Sequence, residues 1–79
     1  MKKPTLDLMQ LAGFGVNLII DAKTTSTLDI IQIVGSVGLK KGHLTIRNAQ
    51  YKTTLDLMQI AKVYPQHITF DVTEYVNEK

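Results

Sequence analysis

A pattern of polar and apolar residues recurs three times along the chain and divides it into similar units. The hexapeptide Thr-Leu-Asp-Leu-Met-Gln begins at Thr5 and recurs unchanged at Thr54, and a looser copy, Thr-Leu-Asp-Ile-Ile-Gln, begins at Thr27. Such self-similarity indicates an internal repeat. We therefore divide the chain into repeats 5–26, 27–53 and 54–73 with a polar tail at 74–79, and expect a single domain over residues 1–79.

Each copy of the hexapeptide has the pattern of a helix with a broad apolar stripe. Two apolar residues follow every copy, and its Asp and Gln are three residues apart, which places these two on one helix face. A stripe this wide suits a helix buried against a sheet and against neighbouring helices. We therefore assign the leucines and methionines of the repeat to the core and leave only Gln10, Gln32 and Gln59 for solvent.

The threonine that opens each copy is a candidate N-cap of the helix. Thr5, Thr27 and Thr54 can all accept a hydrogen bond from the first turn, and Ser26 and Thr53 are rivals one residue earlier. In the first copy the rival position holds a proline, which has no capping group, so Thr5 is expected to cap. In either register each Asp lies in the first turn, where the helix dipole favours a negative charge, so the aspartates are given a structural role.

A strand follows each helix. Glycines, or a proline in the third unit, end the helices, and alternating residues then predict strands at Val16–Ala22, His43–Asn48 and His67–Val72. The glycines that we take as stop signals are Gly13, Gly15, Gly35, Gly38 and Gly42, and the proline is Pro65. The middle helix is expected to be longer than the others by about one turn.

Aligning the three strands separates a core face from a polar face. The residues predicted to point to the core are Leu18, Leu44, Ile68, Ile20, Ile46 and Phe70. The residues predicted to point away are Asn17, Ile19, Asp21, His43, Thr45, Arg47, His67, Thr69 and Asp71. This second set is our candidate partner-binding face.

The unit of helix then strand, three times over, predicts an α/β fold. Like strands joined through helices are parallel and use right-handed crossovers. Strand order 1-2-3 would put all the helices on one face of the sheet, as in a solenoid, whereas order 2-1-3 would put helices on both faces. A sheet covered on both faces has continuous apolar strands, so the polar alternate face favours the one-sided three-stranded sheet of order 1-2-3.

The predicted outline resembles leucine-rich-repeat solenoids. The strand motif of that family is Leu-x-Leu followed by an asparagine. Here Asn48 follows Leu44-x-Ile46 one position too early for that motif. The other two copies have Ala22 and Val72 at the position of Asn48. The strongest repetition in this chain also lies in the helix. The resemblance therefore implies an outline for the fold and identifies no specific family.

Composition narrows the classes of function. The 79 residues carry a net charge of +2, and no cysteine is present, which excludes disulfides and thiolate metal sites. No apolar run approaches the length of a membrane span, so no membrane association is expected and a cytoplasmic location is the default. The small charge does not favour nucleic acid, and Lys40 and Lys41, with Lys2 and Lys3, form only a modest basic cluster.

Two histidines occupy equivalent positions on strands that should be neighbours. Because adjacent strands lie about 4.8 Å apart, His43 and His67 could both reach one metal ion beside Asn17. A metal site needs three or four ligands, and no further histidine or carboxylate is evident at that level. We therefore predict no metal and expect a ladder of exposed polar side chains, which could respond to pH through repulsion between the two rings.

Two further groups of residues have a structural interpretation. Arg47 between Asp21 and Asp71 is the expected cross-strand charge pairing, rather than a catalytic pair of carboxylates. The segment Gly13-Phe14-Gly15 ends a helix and leads into a strand, which is the reverse of a phosphate-binding loop.

The connections at the carboxyl ends of the strands are a candidate anion site. Open α/β sheets bind ligands at this edge, where helix N-termini also converge. The residues concerned are Lys23, Thr24, Thr25, Gln50, Tyr51 and Lys52.

None of the residue groups described above forms a set of catalytic residues, so we predict no enzyme and no cofactor. The leading hypothesis is a small non-catalytic module that binds a protein, either a second copy of itself or a different chain, through its edge strands or its open sheet face. The alternative is a weak binder of anions, nucleotides or nucleic acid that uses the strand-to-helix connections.

Overall fold

The computed structural model describes residues 3–73, which form three helices and a three-stranded parallel sheet. The predicted tail at 74–79 and the basic residue Lys2 lie outside the described residues. In chain order the elements are α1 (Thr5–Ala12), β1 (Asn17–Asp21), α2 (Thr27–Leu39), β2 (His43–Arg47), α3 (Thr54–Ala61) and β3 (Ile68–Phe70), with short 3-10 helices at Ala49–Tyr51 and Pro65–His67.

The strand order is β1-β2-β3, and both neighbouring pairs are parallel, as predicted. The register also matches the sequence alignment, since Leu18 lies opposite Leu44 and Leu44 lies opposite Ile68. The strands themselves are shorter than predicted at one or both ends. The largest difference is in β3, where His67 ends a 3-10 helix that Pro65 begins and Asp71 and Val72 follow the strand.

One face of the sheet is buried in the core. Ile20, Leu44 and Ile46 are almost fully buried, and Leu18, Ile68 and Phe70 pack against them at the margin. The same cluster includes residues from all three helices, among them Ala12, Ile30, Ile33, Val34, Val37 and Ile60. The predicted core residues of the strands are therefore confirmed.

The second and third helices are capped one residue before the repeat begins. The Ser26 hydroxyl accepts a hydrogen bond from the Asp29 N–H, and the Thr53 hydroxyl accepts one from the Asp56 N–H. The prediction for the first helix is wrong, because Thr5 is already helical and Pro4 occupies the N-cap position without a side-chain hydrogen bond.

The outer face of the helices is more apolar than predicted. The leucines at the second position of the repeat, Leu6, Leu28 and Leu55, are 64%, 65% and 64% exposed, and Met58 is also exposed. Assigning every leucine and methionine of the repeat to the core was therefore wrong. The helices have apolar residues around most of their circumference, and only the part that faces the sheet and the neighbouring helices is buried.

The middle helix is longer than the other two, as predicted, with 13 residues against 8 in each of the others. Gly35 and Gly38 lie inside α2, so the interpretation of these two glycines as stop signals is wrong. Gly38 is buried, and a Cβ there would overlap the ring of Tyr64, whereas nothing lies within 4 Å of a Cβ built on Gly35. None of the helices among residues 3–73 is long and apolar enough to cross a membrane.

Candidate functional site

The face of the sheet opposite the core carries the candidate partner-binding residues. Ile19, Thr45 and Thr69 lie side by side across the three strands. Ile19 is 69% exposed, although it stands at the middle of a strand. Asn17, Arg47 and Thr69 are also exposed, and Asp21, His43 and Thr45 are partly exposed. The structure therefore brings most of the predicted face together around one exposed isoleucine.

The two histidines bond to different partners. His43 Nε2 lies 2.6 Å from the Thr69 hydroxyl, across the open face. His67 Nδ1 lies 2.9 Å from the Gly42 carbonyl oxygen, and its ring meets the edge of Tyr64 with 6.1 Å between ring centroids. His67 thus ties the start of β3 to the start of β2. Among residues 3–73, no group of three or more His, Asp or Glu side chains could hold a metal ion.

Asp21 is fixed at the carboxyl end of β1. Its Oδ1 accepts hydrogen bonds from the Lys23 N–H at 2.8 Å and from the Asn48 side-chain amide at 2.9 Å. The Asn48 hydrogen bond, and then the Lys23 hydrogen bond, lower the pKa of Asp21, and the charges of Lys23 and Arg47 act in the same direction. Asp71 forms a similar turn, in which its Oδ1 accepts from the Thr73 N–H at 3.0 Å.

Asn48 is a residue that the sequence analysis did not assign to this group. It has a left-handed backbone conformation, with φ of 59°, immediately after β2. Asparagine tolerates this conformation better than most residues, and an Asn as the last residue of a predicted strand was the available signal. An open depression of about 400 Å³ lies where β1 and β2 end. The residues that line it are Ile19, Ile20, Asp21, Arg47 and Asn48.

The two strand-to-helix connections of the candidate anion site are in contact. The Lys23 ammonium lies 4.7 Å from the centroid of the Tyr51 ring, an arrangement typical of a cation–π interaction. Thr25 is buried, and Gln50 Oε1 is a buried oxygen without a hydrogen-bond partner among the described residues. Of the predicted anion-site residues, the structure therefore brings Lys23 and Tyr51 into contact, with the ammonium facing an aromatic ring.

The outer edge of β1 presents backbone groups that β2 does not use. The Ala22 N–H donates to the Arg47 carbonyl, so in this parallel ladder the even-numbered residues of β1 face β2. The N–H and C=O groups of Asn17 and Ile19 consequently point outward. No hydrogen bond from residues 3–73 reaches these groups. The edge of β1 is therefore open for pairing in the described part of the chain.

Comparison with known proteins adds no relative. No protein-family model matches the sequence, and neither the curated proteins nor the solved structures contain a significant match.

Proposed function

We propose that this protein is a small non-catalytic module that binds another polypeptide through the outer edge of β1 and the open sheet face beside it. The observation that carries the proposal is Ile19, which is 69% exposed at the centre of an outer strand. A large apolar side chain at this position lies outside the hydrophobic core. It would be covered by a partner that reaches the edge of β1.

The edge of β1 supports binding by strand addition. An added strand takes its affinity from main-chain hydrogen bonds, and side chains on the adjoining face give selectivity. The outward N–H and C=O groups of Asn17 and Ile19 supply the hydrogen bonds. Thr45 and Arg47 of the neighbouring strand extend the contact over the open face. An unprotected edge of this kind is otherwise a liability for a soluble protein.

We also propose a repeat architecture for the fold. We interpret the chain as three helix–strand repeats stacked in a solenoid-like array with the helices on one face. The support is the threefold hexapeptide and the equal exposure of Leu6, Leu28 and Leu55. An array of this kind ends in open edges unless capping units or partners cover them. A cytoplasmic location remains part of the proposal.

Site-specific photo-crosslinking tests the proposed function. A photoreactive amino acid is placed at Thr45, on the open face, or at Gln32, on the exposed face of α2, and the protein is irradiated in cells that produce it. We expect a discrete adduct from Thr45 and none from Gln32, with mass spectrometry identifying the attached peptide. Equal labelling at both positions, or no adduct from Thr45, would contradict the proposal.

The alternative function is a weak anion or nucleotide site at the strand-to-helix connections. Its specific support is the contact between these connections, together with Gln50 Oε1 in the second one, a buried oxygen that no described residue bonds. We rank it second because the Lys23 ammonium already interacts with Tyr51. Amide resonances of Lys23 and Lys52 that shift on titration with inorganic phosphate or a nucleotide would favour it, and unchanged resonances would remove it.

A further inference from the structure

The partner of the β1 edge can be named from the pattern of that edge. Asn17, Ile19 and Asp21 are the odd-numbered residues of β1, and their N–H groups point away from β2. The Asp21 carbonyl already accepts from the Thr24 N–H and from the Thr24 hydroxyl, so Asp21 offers its N–H alone to a partner strand. This spacing of outward groups at every second residue is what an antiparallel partner strand requires.

We propose that the partner is a second copy of this chain, paired antiparallel through β1 about a two-fold axis at Ile19. This inference rests on the proposed function and specifies its binding partner. Ile19 would lie opposite Ile19 of the second copy, and Asn17 opposite Asp21 in both directions. The two sheets would join into one sheet of six strands.

The extent of β1 selects this register. With the axis at Ile19, all three outward-facing residues of each strand pair within β1. Moving the axis to Leu18 leaves Asp21 opposite Gly15, which has a φ of 77° and lies outside the strand. Moving it to Ile20 places Asn17 opposite Lys23, which lies in the turn after the strand. Only the axis at Ile19 uses the full length of β1.

The side chains are complementary in the same register. The two Ile19 side chains meet on the open face, where each is exposed in a single copy. Asn17 lies opposite Asp21, so an amide faces a carboxylate and no like charges are opposed. On the other face Leu18 lies opposite Ile20, and Leu18 is only half-buried in one copy. Self-association would therefore extend the core and cover the exposed parts of Leu18 and Ile19 in each copy.

Sedimentation equilibrium with two variants tests the pairing. Ile19→Pro removes an outward N–H and takes no hydrogen bond from the β1–β2 ladder, and proline is tolerated at such edge positions. Gln32→Lys is the control, because it adds a charge to the exposed face of α2, away from the sheet. We expect wild type and Gln32→Lys to approach twice 8.8 kDa as concentration rises, while Ile19→Pro stays at 8.8 kDa. Circular dichroism establishes that each variant is folded, and Ile19→Lys replaces Ile19→Pro if the proline variant is not.

The outcomes separate this inference from the proposed function. A wild-type chain that stays at 8.8 kDa at the highest concentration overturns self-pairing, and the crosslinking from Thr45 then decides the proposed function alone. If wild type and Ile19→Pro associate equally, the pairing does not use the outer edge of β1. That result overturns edge pairing while it supports a protein-binding module.

Disulfide trapping tests the position of the axis. The chain has no cysteine, so Ile19→Cys introduces a single thiol. Directly opposed, hydrogen-bonded residues have Cα atoms about 5.5 Å apart, which a disulfide can span. Mild oxidation should convert the Ile19→Cys protein to a covalent dimer, whereas Thr45→Cys, one strand away from the axis, should remain monomeric under denaturing electrophoresis. Equal trapping at both positions would contradict the register.

Discussion

The ring of Tyr64 lies against the backbone of Gly38, so that a Cβ on this glycine would overlap the ring carbons Cγ, Cδ1 and Cδ2. Gly38 is inside α2, and Tyr64 lies in the connection between α3 and β3. The contact therefore holds the last unit of the chain against the middle helix. It also explains why a buried helix position is occupied by a residue with poor helix propensity.

Gly38→Ala should destabilise the protein although alanine is the better helix former. Overpacking of this kind costs about 1–3 kcal/mol, which equals or exceeds the gain of about 1 kcal/mol from helix propensity. Gly35→Ala is the matched control in the same helix, since its Cβ would meet nothing within 4 Å. Gly35→Ala should therefore stabilise the protein through helix propensity alone. Urea unfolding of both variants measures the difference, and equal effects would show that the Tyr64 contact does not limit the space.

Thr53→Ala should destabilise the protein by about 1 kcal/mol. The Thr53 hydroxyl accepts a hydrogen bond from the Asp56 N–H at 3.1 Å, so its loss leaves a donor at the start of α3 without its partner. Thr54→Ala, at the exposed neighbouring position, should change stability by less than about 0.5 kcal/mol. Thermal unfolding of the two variants side by side tests this assignment. A larger loss for Thr54→Ala would return the cap to the first residue of the repeat.

Ile30→Val should cost more than Leu28→Ala, although it removes fewer atoms. Ile30 is fully buried in the core, and shortening such a side chain costs about 0.5–1.5 kcal/mol. Leu28 is 65% exposed, so its truncation should change stability by less than about 0.5 kcal/mol. Chemical denaturation provides the comparison. A costly Leu28→Ala would mean that the outer helix face is covered in solution.

Asn48→Gly should raise the pKa of Asp21 toward its ordinary value of 3.8, because the Asn48 amide is the largest cause of the lowering. Glycine keeps the left-handed backbone of residue 48, so the variant removes the amide alone. The hydrogen bonds favour the ionised carboxylate of Asp21. Their contribution to the stability of the fold is therefore present above about pH 4 and is lost as the pH falls through the lowered pKa of Asp21. Carbon-detected NMR titration of Asp21 measures the shift.

The control for this titration is Gln32→Ala, which removes a side-chain amide from the exposed face of α2, away from Asp21. The pKa of Asp21 should not change in that variant. A pKa of Asp21 that also stays unchanged in Asn48→Gly would show that the side-chain hydrogen bond is not formed in solution.

The order of the elements and the register of the sheet could be predicted from the sequence. The repeated hexapeptide places helices at regular positions, and the alternation of Leu44, Thr45 and Ile46 indicates both the strand and its buried face. Parallel strands follow because consecutive strands are joined through helices. The repeat and the alternation are local properties of the chain, so they can be recognised without knowledge of the neighbouring elements.

The positions of individual side chains around this framework depended on the tertiary structure. Leu28 and Ile30 are two residues apart in the same apolar pattern, and only the packing of α2 against its neighbours decides which of them is exposed. His67 leaves the strand pattern because Pro65 begins a 3-10 helix, and its ring reaches the Gly42 carbonyl instead of His43.

The sequence by itself determined the elements, their order and the two faces of the sheet, because hydrophobic periodicity and repeats are read along one chain. Only the tertiary structure decided that Ile19 stands exposed beside backbone groups of β1 that no residue in 3–73 bonds, because exposure depends on what the rest of the fold leaves uncovered. Ile19 was one of nine residues on the predicted polar face, and the open edge beside it makes it the centre of the proposed interface.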